Sequence, residues 1–417
     1  MREVHLIGVY STEFRRWPER SFKDLTREAY LGVLADAGFP DGQAIESAWF
    51  GNCGMGSWGQ GNIRGQVCTT PLVNEGLFPE RVPIVNVEGG CATASMATHG
   101  AFQEILSGCA DIVLAIGVEK TFMPDDPARM KEIFENGIDR LDPEEWRAYY
   151  RAAGEAAGKP FAPGPDRTLF MDTYAMQACH HMRRHGTTQA QIAASAAKNH
   201  SIAVNNPKAQ YRFPLTVEEV LADRPVSWPL TRAMCAPIGD GAAAALLCSG
   251  EALKAMAPAV RNRAVRLRAS VLSGGKYRSL DEPSLSRVAA DRAYRMAGIG
   301  PRDIDLAEVH DATSFCEIYQ AEMLRFCEEG EGGPFVASGA TSLGGSIPIN
   351  TSGGLVSKGH PVGATGLSMT YELVTQLRGE AGERQVRGAR LALQENGGGV
   401  MGFDEAACSV IILEKSA

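Results

Sequence analysis

Val87-Glu88-Gly89-Gly90-Cys91-Ala92-Thr93-Ala94-Ser95 joins two different patterns. Before it, Val82 to Val87 is an apolar run of strand character. After it, Ala92 to Ser107 carries apolar residues at helical spacing. A strand that enters a helix through a Gly-Gly turn predicts an α/β unit with Cys91 at the helix start. Unpaired N–H groups and the helix dipole favour a negative charge there. The thiolate is the nucleophilic form of cysteine. Cys91 is therefore the candidate nucleophile among ten cysteines.

Working outward, Val4–Val9, Ser47–Gly51 and Asp111–Val118 read as strands, and Phe22–Ala37 reads as an amphipathic helix. This alternation predicts an α/β sandwich with largely parallel, buried strands. From Glu119 the character changes. Residues 119–170 are rich in charge, Pro and Gly, as in Met123-Pro124-Asp125-Asp126-Pro127, and are too long for an ordinary connection. They read as an excursion out of the sheet. Helical spacing resumes at Asp172–His185 and Thr188–Asn205, and Gly241–Cys248 reads as a returning strand. In the second half, strands are predicted at Val265–Leu272, Asp305–Val309, Ala389–Gln394 and Cys408–Leu413. Helices are predicted at Ser284–Ala297, Ala312–Cys327 and Val362–Leu377. The halves echo each other: Gly90-Cys91 and Gly359-His360 each precede a helix that ends at a glycine, Gly108 or Gly379.

The totals bound the function. The chain has 417 residues, 44% hydrophobic and 22% charged, enough for full cores in two or three domains. A net charge of −8 argues against a general nucleic-acid binder. No run approaches the ~20 apolar residues of a membrane span. The N-terminal segment lacks a signal-peptide layout and Lys415-Ser416-Ala417 is not a peroxisomal tripeptide, so a cytoplasmic protein is expected. The cysteines form no Cys-x-x-Cys, which argues against a structural zinc site. His180, His181 and His185 lack an acidic partner at a matching step and read as a solvated helix face.

Three further segments carry chemistry: Val309-His310-Asp311-Ala312-Thr313; Asn350-Thr351-Ser352-Gly353-Gly354 with Lys358-Gly359-His360-Pro361-Val362-Gly363-Ala364-Thr365-Gly366; and Ala392-Leu393-Gln394-Glu395-Asn396-Gly397-Gly398-Gly399. With the Cys91 segment, and in this order, they resemble the thiolase superfamily. The subgroup most similar is the sterol-carrier-protein-type thiolases, which carry His-Asp where other thiolases have Asn-Glu-Ala-Phe. The segments Asn199–Arg212 and Met234–Ala243 share the likeness, which covers nearly the whole chain.

The resemblance implies a thiolase fold: two similar α/β halves in a five-layer αβαβα sandwich with an inserted loop domain. The implied division is 1–118 plus 235–255 for the first half, 119–234 for the loop domain and 256–417 for the second half. It implies coenzyme-A-dependent cleavage or formation of a carbon–carbon bond through an acyl group on Cys91. His360 would take the thiol proton, His310 would face the developing enolate, and the N–H groups of Cys91 and Gly397 would form an oxyanion hole. The ligands would be acyl-CoA and CoA, with no metal in this chain. Arg183 and Arg184 are candidates for the coenzyme's phosphates.

The chain departs from the family's pattern at the second cysteine. Glu395 stands where many thiolases have Cys-x-Gly, and Ala312 stands where the sterol-carrier type has a cysteine after His-Asp. Cys316 and Cys408 lie nearby in sequence without matching either position. Glu395 is the candidate acid/base, because burial among glycines raises a carboxyl's pKa. Ala236 falls where a serine often contacts pantetheine. A homodimer core is implied, and similar chains with Glu-Asn-Gly-Gly-Gly endings work with a small zinc-ribbon/OB-fold partner subunit, 2-benzoylsuccinyl-CoA thiolase among them. The competing classes are a thiolase-like retro-aldolase and a non-catalytic scaffold or acyl-carrier subunit.

Overall fold

The computed structural model describes residues 2–416, so Met1 and Ala417, the outermost residues of the termini read above for targeting signals, lie outside it. Eleven strands are formed: β1 (Val4–Ser11), β2 (Ser47–Gly51), β3 (Ile84–Val87), β4 (Ile112–Lys120), β5 (Pro225–Ser227), β6 (Leu230–Thr231), β7 (Asp240–Ser249), β8 (Val265–Gly274), β9 (Leu306–Glu308), β10 (Leu391–Gly398) and β11 (Ala407–Lys415). Nine of them make one sheet in the order β3-β2-β4-β7-β1-β8-β11-β10-β9, and β5 and β6 pair separately. The five strands β3 to β1 come from the first half and the four from β8 to β9 from the second. The two sets meet only at His5–Arg266 and Leu6–Val265.

Apolar faces fix the layers. One cluster joins Val4, Leu6, Val113 and Ala245 of the first strand set to Leu267, Leu306, Ala392 and Ile411 of the second. Between them lie Ala94, Ala97, Ala101 and Ile105 of helix Thr93–Ser107, and Leu367, Leu373 and Leu377 of helix Thr365–Arg378. These two helices are the shared middle layer, and each ends in a left-handed glycine, Gly108 or Gly379. The outer face of the first set is covered by Phe22–Ala37 and Arg64–Asn74, and that of the second by Leu285–Ala297 and the end of Ser314–Met323. The result is the five-layer αβαβα sandwich that the resemblance implies. Among the described residues no helix is long and apolar enough to cross a membrane.

The expectation of largely parallel strands is corrected. Only β2–β3, β2–β4 and β9–β10 are parallel. β1–β7, β1–β8, β4–β7, β8–β11 and β10–β11 are antiparallel. Helices cover both faces here, so every central strand is apolar along its length whatever its direction. Run composition therefore cannot report orientation.

The excursion between β4 and β7 is more regular than its composition suggests. It holds the helices Pro127–Glu135 and Pro143–Ala156, which begin with Asp126 and Asp142 caps and Pro in the first turn. Their inward residues, Trp146, Tyr150 and Ala153, pack with Phe161, Phe170, Val400 and Phe403. The excursion is thus seated on the loop after β10. The later helices Leu169–His185 and Gln189–Ala203 pack through Ala175, Ala178, Ile192 and Ala196 onto Phe315 and Ile318.

A buried polar chain ties the middle layer to β10. Ser95 Oγ donates to Asn396 Oδ1 (2.7 Å) and accepts from Gln394 Nε2 (2.8 Å), while Thr370 Oγ1 donates to Gln394 Oε1 (2.8 Å). Ser95→Ala would strand two enclosed amides. It is expected to destabilise the fold by about 1–3 kcal/mol, read as a lower midpoint in chemical denaturation.

Candidate active site

Cys91 lies in a single 3₁₀ turn, Gly90–Ala92, between β3 and the helix Thr93–Ser107. The end of β10 lies against this turn. A Cβ on Gly398 would fall 2.1 Å from Gly89 O and 2.7 Å from Cys91 N, so only glycine permits the approach. His360 sits in the loop Gly359–Ala364, ahead of the helix Thr365–Arg378. That helix starts three residues later than the expected Val362. His310 lies just past β9, after Val309.

The three side chains converge. His360 Nε2 is 3.1 Å from Cys91 Sγ and 3.5 Å from His310 Nε2. The tautomer of His360 follows from its other contact. Thr365 Oγ1 spends its one proton on Pro361 O (3.0 Å) and so accepts from His360 Nδ1 at 2.8 Å. Nε2 then carries a lone pair aimed at the Cys91 thiol, the arrangement of a general base beside its nucleophile.

The electrostatics correct one expectation. Burial pushes the Cys91 thiol up to about 12, and this outweighs the backbone N–H groups of Cys91 and Gly399 that favour the thiolate. Burial also lowers His310 to about 4. His360 lies well below the usual imidazole value because of burial, with His310 and Lys358 adding to it. The resting pair is neutral thiol and neutral imidazole, not the thiolate that a helix start alone suggests. The donor expected from Gly397 is also relocated. Gly397 is paired with Cys408 inside the sheet and its N–H favours the ionised Glu395 carboxyl, whereas the glycine N–H at the Cys91 sulfur is that of Gly399.

Glu395 is fully buried behind His310. Its Oε2 accepts from the His310 N–H (3.1 Å), and its Oε1 accepts from Ser286 Oγ (3.0 Å) and lies 3.5 Å from Cys408 Sγ. Burial pushes it up to about 7. It holds the backbone that carries His310 and does not line the cavity.

That cavity encloses about 1050 Å³ and ends at Cys91, His360, Ala312 and Gly399. Arg183 and Arg184 do not line it. Arg183 reaches Ala156 O (3.4 Å) and Arg184 pairs with Asp281. The arginines on its wall are instead Arg16, Arg167, Arg224 and Arg232, with Arg167 held on Asp172 and Arg232 on Asp223. The inner wall is apolar: Ile133, Phe134, Phe170, Met171 and Val226. A second, open depression between Asp291 and Arg325 holds none of these groups.

Several neighbours were not singled out by sequence. Cys53 lines the cavity, with its thiol 3.1 Å from Gly90 O and 2.9 Å from Thr93 Oγ1. Fully buried Glu119, pushed up to about 7 by burial, gathers the N–H groups of Cys53 and Gly54 and the Asn52 amide. Tyr174 also lines the cavity. Gly-rich Gly51–Gly61 was the available signal for the first two; Tyr174 gave none. His181 proves buried rather than solvated, because distant Glu322 supplies the acid at 3.0 Å and Thr187 the second partner. The ligand atoms of Cys91, His310 and His360 lie within 4.8 Å of one another, a donor set that a soft divalent ion could also occupy.

Comparison with known proteins places this geometry. Residues 4–220 match the family described as Thiolase, N-terminal domain, and residues 277–415 match Thiolase C-terminal domain-like. The chain is 38% identical to an acetyl-CoA acetyltransferase of Methanothermobacter thermautotrophicus, over 96% of this chain and 98% of that one. It is 31% identical to the benzoylsuccinyl-CoA thiolase subunit BbsB of Thauera aromatica, over 92% and 91%. Among solved structures, the Ltp2-ChsH2(DUF35) aldolase superposes with a TM-score of 0.76 at 22% identity, covering 99% and 98%. Human mitochondrial 3-ketoacyl-CoA thiolase in complex with CoA superposes with a TM-score of 0.67 at 17% identity, covering 100% and 98%. At those identities the two structures show the fold.

Three predictions follow from the protonation states. With the thiol at about 12, Cys91 alkylation by iodoacetamide should rise about tenfold per pH unit from about pH 7 to 10 without a plateau. Thr365→Val, which frees the imidazole's orientation, should lower turnover by about 10- to 100-fold. Glu395, near 7 when folded and about 4.3 when unfolded, stabilises the fold in its protonated form. That contribution is complete below the unfolded value and is lost as pH rises through the folded one. Glu395→Gln should therefore lose less stability than the parent between about pH 5 and 8, measured by urea denaturation at each pH.

Proposed function

The chain belongs to the thiolase family of acyltransferases, and from that premise we propose that it forms or cleaves the carbon–carbon bond of a 3-oxoacyl-CoA through an acyl group carried on Cys91. The observation that carries this reading is the His360 Nε2 lone pair 3.1 Å from Cys91 Sγ on the wall of a large cavity. In cleavage, Cys91 sulfur attacks the 3-oxo carbon as its proton passes to His360. The bond between carbons 2 and 3 breaks, and its electron pair becomes the enolate of the departing acyl-CoA, whose oxygen faces His310 and His360. Carbon 2 takes up a proton. CoA thiol then attacks the acyl-Cys91 carbonyl; the acyl–sulfur bond breaks, the proton held on His360 returns to the Cys91 sulfur, and the CoA thiol proton replaces the one given to carbon 2. The Cys91 and Gly399 N–H groups are placed to receive the oxyanion of each tetrahedral intermediate, where one such donor is worth about 3–4 kcal/mol.

The thiol and imidazole rest neutral, so proton transfer is coupled to attack and the enzyme holds no standing thiolate to be oxidised. A buried neutral imidazole suits an enolate, because His310 can donate a hydrogen bond without first being desolvated as a cation, while His360 donates the proton it has taken from Cys91.

The acyl pocket supports a bulky apolar or aromatic group. Ile133, Phe134, Phe170 and Met171 wall it, and the relative that acts on benzoylsuccinyl-CoA has a substrate of this kind. CoA as co-substrate is supported by the CoA-bound thiolase of the same fold. A homodimer is supported by β3, an edge strand with one open side and Val85 39% exposed. A small partner subunit is supported by the paired composition named for the Ltp2-ChsH2(DUF35) aldolase.

The test is intact-mass spectrometry after incubation with benzoyl-CoA and with acetyl-CoA. An adduct of the acyl mass is expected on the parent, discharged by CoA and absent from Cys91→Ala. A retro-aldolase or a scaffold subunit gives no adduct, and that result would overturn the reading. Phe134→Ala should lower kcat/KM for the aromatic substrate by about tenfold, as loss of apolar pocket contact does, while leaving acetyl transfer unchanged.

A further inference from the structure

We propose that Cys91, His310 and His360 form an inhibitory site for a soft divalent cation of the zinc class, open while Cys91 is free and closed once Cys91 carries an acyl group. The site itself needs only the geometry of the three side chains. Its closure by an acyl group rests on the acyl-transfer reading above.

The three residues come from separate segments: the turn after β3, the segment after β9, and the loop before the helix Thr365–Arg378. One ligand atom of each lies within 4.8 Å of the other two, and no other group of three His, Cys, Asp or Glu side chains gathers in this way among the described residues. His360 Nε2 stands 3.1 Å from Cys91 Sγ and 3.5 Å from His310 Nε2. A tetrahedral zinc ion, with bonds of about 2.0–2.3 Å, sets its ligand atoms about 3.3–3.6 Å apart. Two edges of the triangle therefore already have the spacing that an ion imposes, and side-chain rotation closes the third.

The surroundings favour the same ion. Thr365 Oγ1 accepts from His360 Nδ1 at 2.8 Å and leaves Nε2 as the free donor, which is how metal-binding histidines are oriented by a second group. The His310 main chain is held by the Glu395 carboxyl at 3.1 Å, so its ring is carried on a fixed backbone. One sulfur and two imidazole nitrogens suit zinc, cadmium or cobalt. Magnesium and calcium seek oxygen ligands, and no carboxylate belongs to the set. A divalent ion with one thiolate leaves a single positive charge. The Glu88 carboxyl lines the same cavity and is fixed over the Cys91 turn, its Oε1 accepting from Gly90 N at 2.7 Å.

Binding is balanced by release of one proton. The Cys91 S–H bond breaks, the sulfur keeps the electron pair and shares it with the ion, and the proton leaves to solvent. His310 binds through Nε2 with its ring proton on Nδ1. The fourth position faces the cavity of about 1050 Å³ and is open to water. Such an ion occupies the nucleophile and the lone pair of its base together, so the site inhibits. An acyl group on the sulfur turns a thiolate into an uncharged thioester and takes away the one anionic ligand.

The experiment uses the full chain with zinc chloride and cobalt chloride. Cobalt should give a thiolate-to-metal charge-transfer band that Cys91→Ala lacks and Cys53→Ala keeps. In the parent, saturating zinc should slow iodoacetamide labelling of the Cys91 peptide by about 100-fold or more. A chelator should restore labelling, and magnesium should have no effect. Thr365→Val should weaken zinc binding by about 10- to 100-fold, and His310→Ala should weaken it further. Treatment with acetyl-CoA that leaves an adduct on Cys91 should abolish the cobalt band. Unprotected Cys91 at saturating zinc, a band that survives in Cys91→Ala, or a band lost in Cys53→Ala overturns the site. An adduct with the band retained overturns its closure by acylation. Absence of any adduct removes the acyl-cysteine reading, and the protection of Cys91 by zinc then decides the site alone.

Discussion

The contact between Cys91 and His360 joins residues 269 positions apart, and the architecture serves to hold it. Both residues stand just before helices of the middle layer, and both helices lie between the two strand sets. A helix in that position cannot shift without opening a close-packed core on both faces. The small residues Ala94, Ala97 and Ala101 permit this layer to be thin, and the Ser95–Gln394–Asn396 hydrogen bonds pin it to β10. The strand that carries Gly399 to the sulfur is thereby fixed by the same layer that carries the sulfur.

Holding the pair so deeply has an electrostatic consequence. A helix N-terminus is worth up to about 2 kcal/mol for a partly buried charge. Removing a thiolate from water costs more than that, which is why burial wins at Cys91. The imidazoles respond to the same burial in the opposite sense and stay neutral. The site therefore holds no separated charge at rest. The N–H groups of Cys91 and Gly399 are already in place beside the sulfur.

Much of this was legible from the chain because local chemistry repeats at each site. Glycines at 89, 90, 397, 398 and 399 mark close backbone approach, and the helix Phe22–Ala37 was delimited by its own capping residues. The candidate nucleophile and both candidate histidines stand in motifs whose order is readable, and the structure brings the three side chains together. Strand direction was not legible, because burial on both faces erases the pattern that distinguishes it. The helices of the excursion were masked by the Pro and Asp that cap them. The choice between Gly397 and Gly399 depends on which face of β10 each N–H addresses, a matter of register within a run of identical residues. Arg183 and Arg184 were chosen by charge alone, and charge does not report which side of a helix meets the cavity.

Tyr174 illustrates a deeper limit. It belongs to no motif, and it takes its place from neighbours far away in sequence. Tyr174 is carried by the excursion, which is seated on the loop after β10 through Val400 and Phe403. The excursion thus supplies apolar wall to the cavity, through Ile133 and Phe134, and the Tyr174 ring. The shape of the cavity wall and the seat of the loop after β10 are coupled through one packed cluster. A substitution that enlarges the wall at Phe170 also loosens the helix that holds Tyr174. Cys91 and His360, held by the middle layer, stand apart from that cluster.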